Sequence, residues 1–261
     1  MRKGIVLAGG SGTRLMPVTK YVCKQLLPVY DKPLIYFPLY TLAKSGIREI
    51  LIISTPETTP ILESNLGNLN ELGLKVSYAV QSEPKGIAHG IQVAEDTGFI
   101  GSDDFALILG DNIFFGNQVE RFIRDACMNF DYNTVFGYPV KDPERYGVVR
   151  FAAGGRPVDI IEKPKEPPSN YAVPGIYFYR NDVLKIVRKL KPSDRGELEI
   201  TDLNRTLMKK NDLEVVRIGV GNAWMDCGTF DSLNDASNFI RTMEDRTGMT
   251  IGNLETLSPR R

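Results

Sequence analysis

The sequence predicts an α/β fold: a mostly parallel, doubly wound (Rossmann-like) sheet with helices on both faces, plus a smaller β region in the second half. Short apolar runs alternate with segments of helical periodicity through the first half, which is the pattern of βαβ units. The apolar runs lack a polar side, as strands buried on both faces do. With 261 residues, 42% hydrophobic and 25% charged, the chain is long and apolar enough to bury a large core.

In the first half, the apolar runs predict four buried strands, at residues 3–8, 49–54, 75–80 and 105–109. Helical periodicity predicts three helices, at residues 33–45, 87–96 and 118–129. For the first of these helices, Pro33 suits the first turn and Gly46 suits the stop.

The second half mixes strands and helices. Strands are predicted at residues 148–151, 158–161 and 176–180, with an extended segment at 213–220. Helices are predicted at 182–190, 200–210 and 232–245, and a Pro-rich loop at 164–169. Because no linker rich in Gly and Ser interrupts the pattern, we expect a single domain over residues 1–261.

The charge balance excludes several classes of protein. Lys plus Arg and Asp plus Glu both number 32, so the net charge is zero. The apolar content excludes a disordered chain, and the lack of surplus cations disfavours a nucleic-acid binder. No apolar run approaches the length needed to cross a bilayer, and the N-terminal run is too short for a secretion signal. We therefore expect a cytoplasmic protein without nucleic-acid or membrane partners.

The cysteines and the single histidine exclude several kinds of site. Cys23, Cys127 and Cys227 are odd in number, far apart and without His pairs beside them. That pattern argues against a disulfide framework and against a structural zinc site. Because His89 is the one histidine, a histidine-rich metal site and a His-based catalytic triad also lose support.

A glycine-rich loop follows the first predicted strand directly, with Gly9, Gly10 and Gly12 among residues 7–15. Glycines there let the backbone approach a phosphate, and consecutive N–H groups form an anion-binding nest. The dinucleotide fingerprint fails because Leu15 stands where a third glycine is needed, and the P-loop motif fails because its Gly-Lys pair is missing. A tight turn between strand and helix stays open as the alternative.

Two cations near this loop favour a polyphosphate ligand. Arg14 lies inside the loop and Lys24 follows ten residues later. A guanidinium fork and an ammonium beside a backbone nest make a suitable site for a chain of phosphates. Solvated surface charges are the alternative for either cation taken alone.

Eight segments of the chain together resemble the sugar-1-phosphate nucleotidyltransferase family. They are GGSGTRL at 9–15, KQLLPVYDKPLIY at 24–36, LGDN at 109–112, DPERYGVV at 142–149, EKP at 162–164, SNYAVPGIYFY at 169–179, RGELEITD at 195–202 and AWMDCGTFDSL at 223–233. The resemblance runs from about residue 3 to about residue 248. Each segment is a weak signal, but their occurrence in this order is highly specific.

The resemblance implies transfer of a nucleotidyl group from a nucleoside triphosphate to a sugar 1-phosphate, with release of pyrophosphate. The implied substrates are dTTP and α-D-glucose 1-phosphate, and the implied cofactor is Mg²⁺ held by Asp111 and Asp226. Residues 1–115 would then form a nucleotide-binding half, residues 116–230 a sugar-phosphate-binding half, and residues 231–261 a C-terminal helix and tail. A homo-oligomer, a tetramer or a dimer, is implied as well.

The resemblance also assigns roles to individual residues. The implied catalytic cations are Arg14, Lys24, Lys163 and Arg195. The implied nucleotide contacts are Gly9, Gly10, Gly12, Thr13, Arg14, Lys24, Gln25, Gln81, Gly86 and Asp111. The implied sugar-phosphate contacts are Asn112, Tyr146, Gly147, Glu162, Lys163, Val173, Tyr177 and Arg195. Among these, Gln81 would pair with the thymine edge and Gln25 would contact the deoxyribose.

Several structural alternatives stay open for these residues. Asp111 follows a strand, where an aspartate is often a turn former or helix cap. Lys163 could be a loop charge ahead of Pro164, Gln81 a polar strand end, and Tyr146 and Tyr177 ordinary packing. Trp224 is interpreted as core that positions the segment around Asp226, and the aromatic residues at 36, 37 and 40 as packing or subunit contact.

Two other functions also stay open. One is the same reaction with UTP or with another sugar 1-phosphate. The other is binding of a nucleotide sugar without turnover.

The chain departs from the family pattern at a few positions. Cys23 stands where the family usually has Ser, Cys227 where it usually has Thr, and His89-Gly90 where it usually has Gln-Ala. The last change is either a harmless surface change or one that slightly alters nucleotide preference. The long members continue for some tens of residues beyond the point matching residue 261, so regulation at a secondary nucleotide site between subunits is a weaker expectation than catalysis.

Overall fold

The computed structural model describes residues 2–10, 12–67 and 69–257. Ser11 of the glycine-rich loop and residues 258–261 of the predicted tail lie outside the described residues. Among the described residues, no helix combines the length and the apolar character that crossing a membrane requires.

The strands of the described chain are β1 (Lys3–Leu7), β2 (Pro28–Val29), β3 (Lys32–Pro33), β4 (Glu49–Ser54), β5 (Lys75–Val80), β6 (Phe105–Leu109), β7 (Asn112–Phe115), β8 (Asn133–Pro139), β9 (Gly147–Phe151), β10 (Pro157–Glu162), β11 (Tyr171–Ala172), β12 (Ile176–Tyr179), β13 (Leu213–Arg217) and β14 (Ala223–Asp226). The helices are α1 (Tyr36–Lys44), α2 (Thr58–Leu66), α3 (Ile87–Asp96), α4 (Asn117–Met128), α5 (Leu184–Val187), α6 (Ile200–Lys209) and α7 (Phe230–Thr247).

One large sheet organises the molecule, in the order β10-β9-β11-β8-β12-β6-β1-β4-β5, with β13 beside β8. β6, β1, β4 and β5 are parallel neighbours. β12 is antiparallel to both β6 and β8, so β8 runs in the same direction as the first-half strands, and β13 is parallel to β8. The sheet is therefore mainly parallel, as the sequence predicts.

Helices cover both faces of this sheet. α1, α2 and α4 pack on one face and α3, α5 and α6 on the other. Side chains alternate between the two faces along each strand, so Val6 packs with the first set of helices and Ile5 with the second. This double burial explains the absence of a polar side in the apolar runs and confirms the predicted fold class.

The start of the first helix differs from the prediction. Pro33 belongs to a short hairpin, in which it lies opposite Pro28, and α1 begins only at Tyr36. The fixed φ of proline suits an edge strand as well as a first helical turn, so the residue type alone did not distinguish the two. The predicted stop is confirmed, because Gly46 follows α1 with φ of +100°.

Other elements were missed or misjudged in length. The sequence analysis did not predict α2, β7, β8 or β14. The helix predicted at 182–190 is a 3₁₀ turn, Asn181–Val183, followed by the single-turn α5. The extended segment predicted to residue 220 ends as a strand at Arg217. β7 and β14 have only four residues each and α5 forms a single turn, so their periodicity is too brief to detect, whereas α2 contains Pro60 and β8 contains Gly137 and ends at Pro139.

Candidate active site

The carboxyl ends of the parallel strands form one edge of the sheet, where ligands of such folds bind. The glycine-rich loop leaves β1 at this edge, Gln81 follows β5, and Asp111 follows β6. Backbone bonds tie these exits together: the N–H of Gln81 donates to the Ser54 carbonyl at 2.8 Å, and the N–H of Gly110 donates to the Leu7 carbonyl at 2.9 Å. Parallel pairing thus brings three sequence-distant segments side by side.

A two-stranded ribbon brings Asp226 to Asp111. β7 starts directly after Asp111 and pairs antiparallel with β14, in a register that sets Asp226 opposite Asn112. The N–H of Cys227 then donates to the Asp111 carbonyl at 2.9 Å. The ribbon therefore brings together two carboxylates that are far apart in sequence.

Each carboxylate has cationic neighbours. Lys24 forms an ion pair with Oδ2 of Asp111, and Nδ2 of Asn112 donates to Oδ1 of Asp111 at 2.9 Å. Nη2 of Arg145 lies 3.8 Å from Oδ2 of Asp226. A Cβ at Gly228 would lie 2.7 Å from Nη2 of Arg14, so this glycine makes room for the guanidinium.

Burial and the neighbouring carboxylate change the acidity of this region. Burial, followed by the charge of Asp111, raises the pKa of Asp226, while Lys24 and Arg14 lower it. Burial and the charge of Asp226 raise the pKa of Tyr146 to about 12. The pair of carboxylates is therefore a place where an additional positive charge would be favourable.

Asn112 links the ribbon to the sheet. It is 2% exposed, and its Oδ1 accepts from the N–H of Gly175 at 3.1 Å and from Nε1 of Trp224 at 2.6 Å. Trp224 is itself buried and packs against Tyr146, with ring centroids 5.1 Å apart. The expectation that Trp224 is core and positions the segment around Asp226 is confirmed.

The second half of the chain contributes a set of polar residues to the site, the second-half wall, which includes Glu162, Lys163 and Arg195. Glu162, at the end of β10, lies opposite Gly147 at the start of β9. The N–H of Lys163 donates to the Tyr146 carbonyl and the N–H of Val173 donates to the Gly147 carbonyl, at 2.9 and 2.8 Å. Lys163 has a φ of +43°, which is rare for a residue with a side chain and clusters at functional sites.

Carboxylates surround Arg195 in this wall. Its Nη2 lies 2.8 Å from Oε2 of Glu199, 3.3 Å from Oε1 of Glu162 and 3.4 Å from Oε2 of Glu197. Oε2 of Glu162 also accepts from the hydroxyl of Thr201 at 2.5 Å. Both Arg195 and Glu162 are therefore held in place by neighbouring side chains.

Gln81 and Gly86 lie together on the other side of the glycine-rich loop. Gln81 is 7% exposed, and its Nε2 is 3.3 Å from the carbonyl oxygen of Gly86 and 2.8 Å from Nδ1 of His89. Gly86 has a φ of +96°, and a Cβ there would lie 2.6 Å from the carbonyl oxygen of Leu198. Its lack of a side chain thus allows close packing against the segment that holds Arg195.

The remaining predicted nucleotide contacts lie near the loop. Gly10 and Gly12 have positive φ, Gly9 is half-buried, and Thr13 is exposed at the start of a 3₁₀ turn. Gln25 is 3% exposed, and its side-chain oxygen accepts from the thiol of Cys23 at 3.1 Å. The thiol of Cys23 therefore retains the hydrogen-bonding capacity that a serine would have.

A cavity of about 210 Å³ unites most of the predicted residues. Its lining includes Arg14, Asp111, Asn112, Tyr146, Gly147, Glu162, Lys163, Val173, Tyr177, Arg195 and Asp226. The other predicted site residues do not line the cavity; they are Gly9, Gly10, Gly12, Thr13, Lys24, Gln25, Gln81 and Gly86. Of these, Lys24 still reaches the cavity through its ion pair with Asp111.

Residues not singled out by the sequence analysis also line the cavity, notably Arg145, Glu199 and Thr201. They fall inside two segments that carry the family resemblance, residues 142–149 and 195–202. Membership in these segments was the sequence signal by which they could have been found. Within the described residues, no group of three or more His, Cys, Asp or Glu side chains is arranged to hold a metal ion. Asp111 and Asp226 therefore stand as a pair.

Known proteins resemble this chain in sequence. A family model described as nucleotidyl transferase matches residues 3–243. The glucose-1-phosphate thymidylyltransferase of Xanthomonas campestris pv. campestris is 51% identical over 250 residues, which are 96% of this chain and 84% of the relative. That of Mycolicibacterium smegmatis is 50% identical over 256 residues, which are 98% of this chain and 88% of the relative.

Solved structures resemble it as well. A Bacillus anthracis structure that carries the name glucose-1-phosphate thymidylyltransferase and contains sucrose has a TM-score of 0.86 at 39% identity, covering 98% of this chain and 99% of that one. UDP-glucose pyrophosphorylase complexed with UDP-glucose has a TM-score of 0.81 at 27% identity, covering 93% of this chain and 99% of that one.

Proposed function

Because the chain belongs to the nucleotidyl transferase family and groups with glucose-1-phosphate thymidylyltransferases over nearly its whole length, we propose that it forms dTDP-glucose and pyrophosphate from dTTP and α-D-glucose 1-phosphate. The observation that carries the proposal is the single cavity lined by Asp111 and Asp226 on one side and by Glu162 and Lys163 on the other. The sugar phosphate and the reacting phosphates would meet in this cavity, while the predicted base contacts lie outside its lining.

The reaction is a direct displacement at phosphorus. A phosphate oxygen of glucose 1-phosphate forms a bond to the α-phosphorus of dTTP, and the bond from that phosphorus to the bridging oxygen of pyrophosphate breaks in line with it. No covalent enzyme intermediate is needed, so the protein acts by positioning and by stabilising charge. Arg14 and Lys24 are the cations placed to neutralise the departing pyrophosphate.

Asp111 and Asp226 fit a Mg²⁺ ion that accompanies the triphosphate. Mg²⁺ is usually held by one or two carboxylates, with waters and phosphate oxygens completing its octahedron. Burial and, after it, the charge of Asp111 raise the pKa of Asp226, so a further cation beside the pair would favour the charged form of Asp226. When bound, the ion would neutralise charge on the phosphates; the two aspartates hold it and Lys24 orients Asp111.

The sugar phosphate faces the second-half wall. Glu162, held by Thr201, offers acceptors to sugar hydroxyls. The backbones of Gly147 and Val173 let the ring lie close to the main chain, and Lys163 and Arg195 carry the positive charge for its phosphate. Arg195 exchanges a carboxylate partner for the phosphate when the substrate arrives.

The test is turnover by the purified protein. With MgCl₂, dTTP and glucose 1-phosphate, we expect stoichiometric release of pyrophosphate and dTDP-glucose, followed by a coupled pyrophosphate assay and anion-exchange chromatography. Omission of the sugar phosphate is the control and should abolish release. Tight binding of dTTP with no release by folded protein would instead indicate a binding protein without turnover.

A second candidate is the same reaction with UTP, favoured by the structural similarity to UDP-glucose pyrophosphorylase. Thymine and uracil differ by one methyl group, which a pocket distinguishes by only about 10- to 200-fold. Values of kcat/KM for dTTP and UTP, measured side by side, assign the substrate. A higher value with UTP would reject dTTP as the preferred nucleotide.

A further inference from the structure

Two acceptors set the orientation of the Gln81 amide. Its Nε2 lies 3.3 Å from the carbonyl oxygen of Gly86 and 2.8 Å from Nδ1 of His89. A carbonyl oxygen can only accept, so the amide atom that faces Gly86 is the NH₂ group. Its second hydrogen is then directed at His89.

This arrangement determines the state of the His89 ring. An amide NH₂ group can only donate, so Nδ1 of His89 carries no proton and the neutral ring holds its proton on Nε2. His89 is the third residue of α3, where the partial positive charge of the helix N-terminus opposes a second proton. Among facing charged groups, Lys85 also opposes protonation, whereas Asp96 and Glu83 favour it.

The remaining amide atom, Oε1, faces the glycine-rich loop. With both hydrogens of Nε2 engaged, Oε1 is free of these two partners, and a Cβ at Gly9 would lie 3.3 Å from it. Oε1 therefore lies against the glycine-rich loop. A base bound over this loop meets a hydrogen-bond acceptor.

We propose that His89 is a positioning residue that turns Oε1 of Gln81 toward the base and so selects pyrimidines that donate at N3, namely thymine and uracil. Cytosine accepts at N3 and would meet a second acceptor, which is repulsive. This inference rests on the proposed function, since Gln81 must face the base, and it deepens that function by naming a residue that positions the base contact.

The arrangement makes the preference sensitive to pH. A protonated His89 donates from both ring nitrogens, so Nδ1 would face the NH₂ group of Gln81 with donor against donor. The bond from the Gln81 amide to His89 is then lost, and an amide that turned over to restore it would lose its bond to the Gly86 carbonyl. In either case Oε1 is held toward the base less firmly. Burial, together with the charge of Lys85, lowers the pKa of His89 below its ordinary 6.5. The neutral form of His89, which holds Oε1 of Gln81 toward the base, therefore persists at neutral pH and is lost as the pH falls.

Two variants distinguish the effect of the hydrogen-bond acceptor Nδ1 of His89 from the effect of the volume of its ring. H89N places an amide oxygen where Nδ1 stands and does not titrate between pH 5 and 8, whereas H89L keeps the volume and removes the acceptor. The affinities of wild type, H89N and H89L for dTTP and for dCTP, each with MgCl₂, are measured by calorimetry at pH 8 and at pH 5.5. Calorimetry needs no turnover, so its result does not depend on the transferase reaction.

At pH 8 we expect H89L to bind dTTP about tenfold more weakly than wild type, as the loss of one hydrogen bond implies. Its preference for dTTP over dCTP should shrink by a similar factor, and H89N should restore both quantities. As the pH is lowered, the ratio of the wild-type affinity for dTTP to the H89N affinity for dTTP should fall. Protonation of the nucleotide affects both proteins equally, so it does not change this ratio. The KM for glucose 1-phosphate should be equal in all three proteins.

The inference is overturned if H89L keeps the wild-type affinity and base preference, if H89N is as weak as H89L, or if the wild-type to H89N ratio stays constant down to a pH at which NMR shows the His89 ring to be protonated. It is also overturned if wild type does not bind dTTP. Binding that follows the expected pattern without pyrophosphate release would support the inference and reject the transferase function, so the two fail separately.

Discussion

Asp111 carries two contacts at once, an ion pair with Lys24 and a hydrogen bond from Asn112. It is also close enough to Asp226 to raise the pKa of that carboxyl, after the larger effect of burial. Two like charges in a partly buried site are unfavourable by themselves. Lys24, Arg14 and Arg145 offset part of this repulsion.

Replacement of Asp111 by Asn should abolish most activity, because it removes half of the proposed metal site and one partner of Lys24. We expect kcat to fall by at least about 10²-fold, the usual effect of losing a charge-stabilising group. Steady-state pyrophosphate release measures the loss, and circular dichroism confirms the fold. Asp125→Asn, the same change at an exposed position of α4, is the control. Turnover within twofold of wild type would remove Asp111 from the metal role.

Lys163 should act on the sugar phosphate more than on the nucleotide, because it follows Glu162 in the second-half wall. In Lys163→Ala we expect kcat/KM for glucose 1-phosphate to fall by about 10²-fold while the affinity for dTTP changes by less than threefold. Lys163→Arg keeps the charge and should recover part of the loss. Equal losses for both substrates would contradict a role confined to the sugar phosphate.

Among the elements, the ribbon of β7 and β14 and the helix that follows it carry Asp226. α7 begins two residues after Gly228 with a capping box: the Ser232 N–H donates to the hydroxyl of Thr229 at 3.2 Å, and the Thr229 N–H donates to the hydroxyl of Ser232 at 3.0 Å. This cap defines where the chain turns from the ribbon into the helix. Helix stability and site geometry are therefore linked at this point.

Thr229→Ala should destabilise the protein by about 1 kcal/mol, the typical cost of a lost N-cap hydroxyl. Urea denaturation at pH 7 measures the change in the free energy of unfolding. Thr229→Ser keeps the hydroxyl and should stay close to wild type. If the serine variant were as unstable as the alanine variant, packing of the methyl group rather than the cap would be the cause.

For the molecule as a whole, the cavity spans distant parts of the chain. Its walls come from Arg14 at the end of the glycine-rich loop, the end of β6, the ribbon strand β14, the start of β9 and the end of β10. A ligand that touches all of these favours the folded state over the unfolded one by mass action. Ligand binding should therefore stabilise the entire fold and not only one loop.

Saturating dTTP with MgCl₂ should raise the melting temperature. At 100 times the dissociation constant the stabilisation is about 2.7 kcal/mol, which corresponds to roughly 5–10 °C for a chain of this size. Differential scanning fluorimetry measures the shift, and replacement of MgCl₂ by EDTA should remove most of it. A shift of the same size in EDTA would argue that the metal adds nothing to nucleotide binding.

The strands were the most predictable elements. β4, β5 and β6 have the predicted bounds, because long apolar runs buried on both faces leave a clear signal. β8 and β14 were missed, since Gly137 lies inside the first, which ends at Pro139, and only four residues form the second. Short strands depend on the strands they pair with for stability, and the sequence of one strand does not show which other strand it pairs with.

The residue types along the chain were sufficient to indicate a doubly wound α/β protein with a glycine-rich loop after its first strand, because burial on both faces and the need for backbone freedom at Gly10 and Gly12 are local requirements. Three contacts were visible only in the tertiary structure. They are the ion pairs of Arg195 with three glutamates, the proximity of Arg145 to Asp226 and the hydrogen bond between Gln81 and His89. Such contacts depend on strand register and on which ends of the sheet coincide, and both are set by the packing of the whole chain rather than by any one segment.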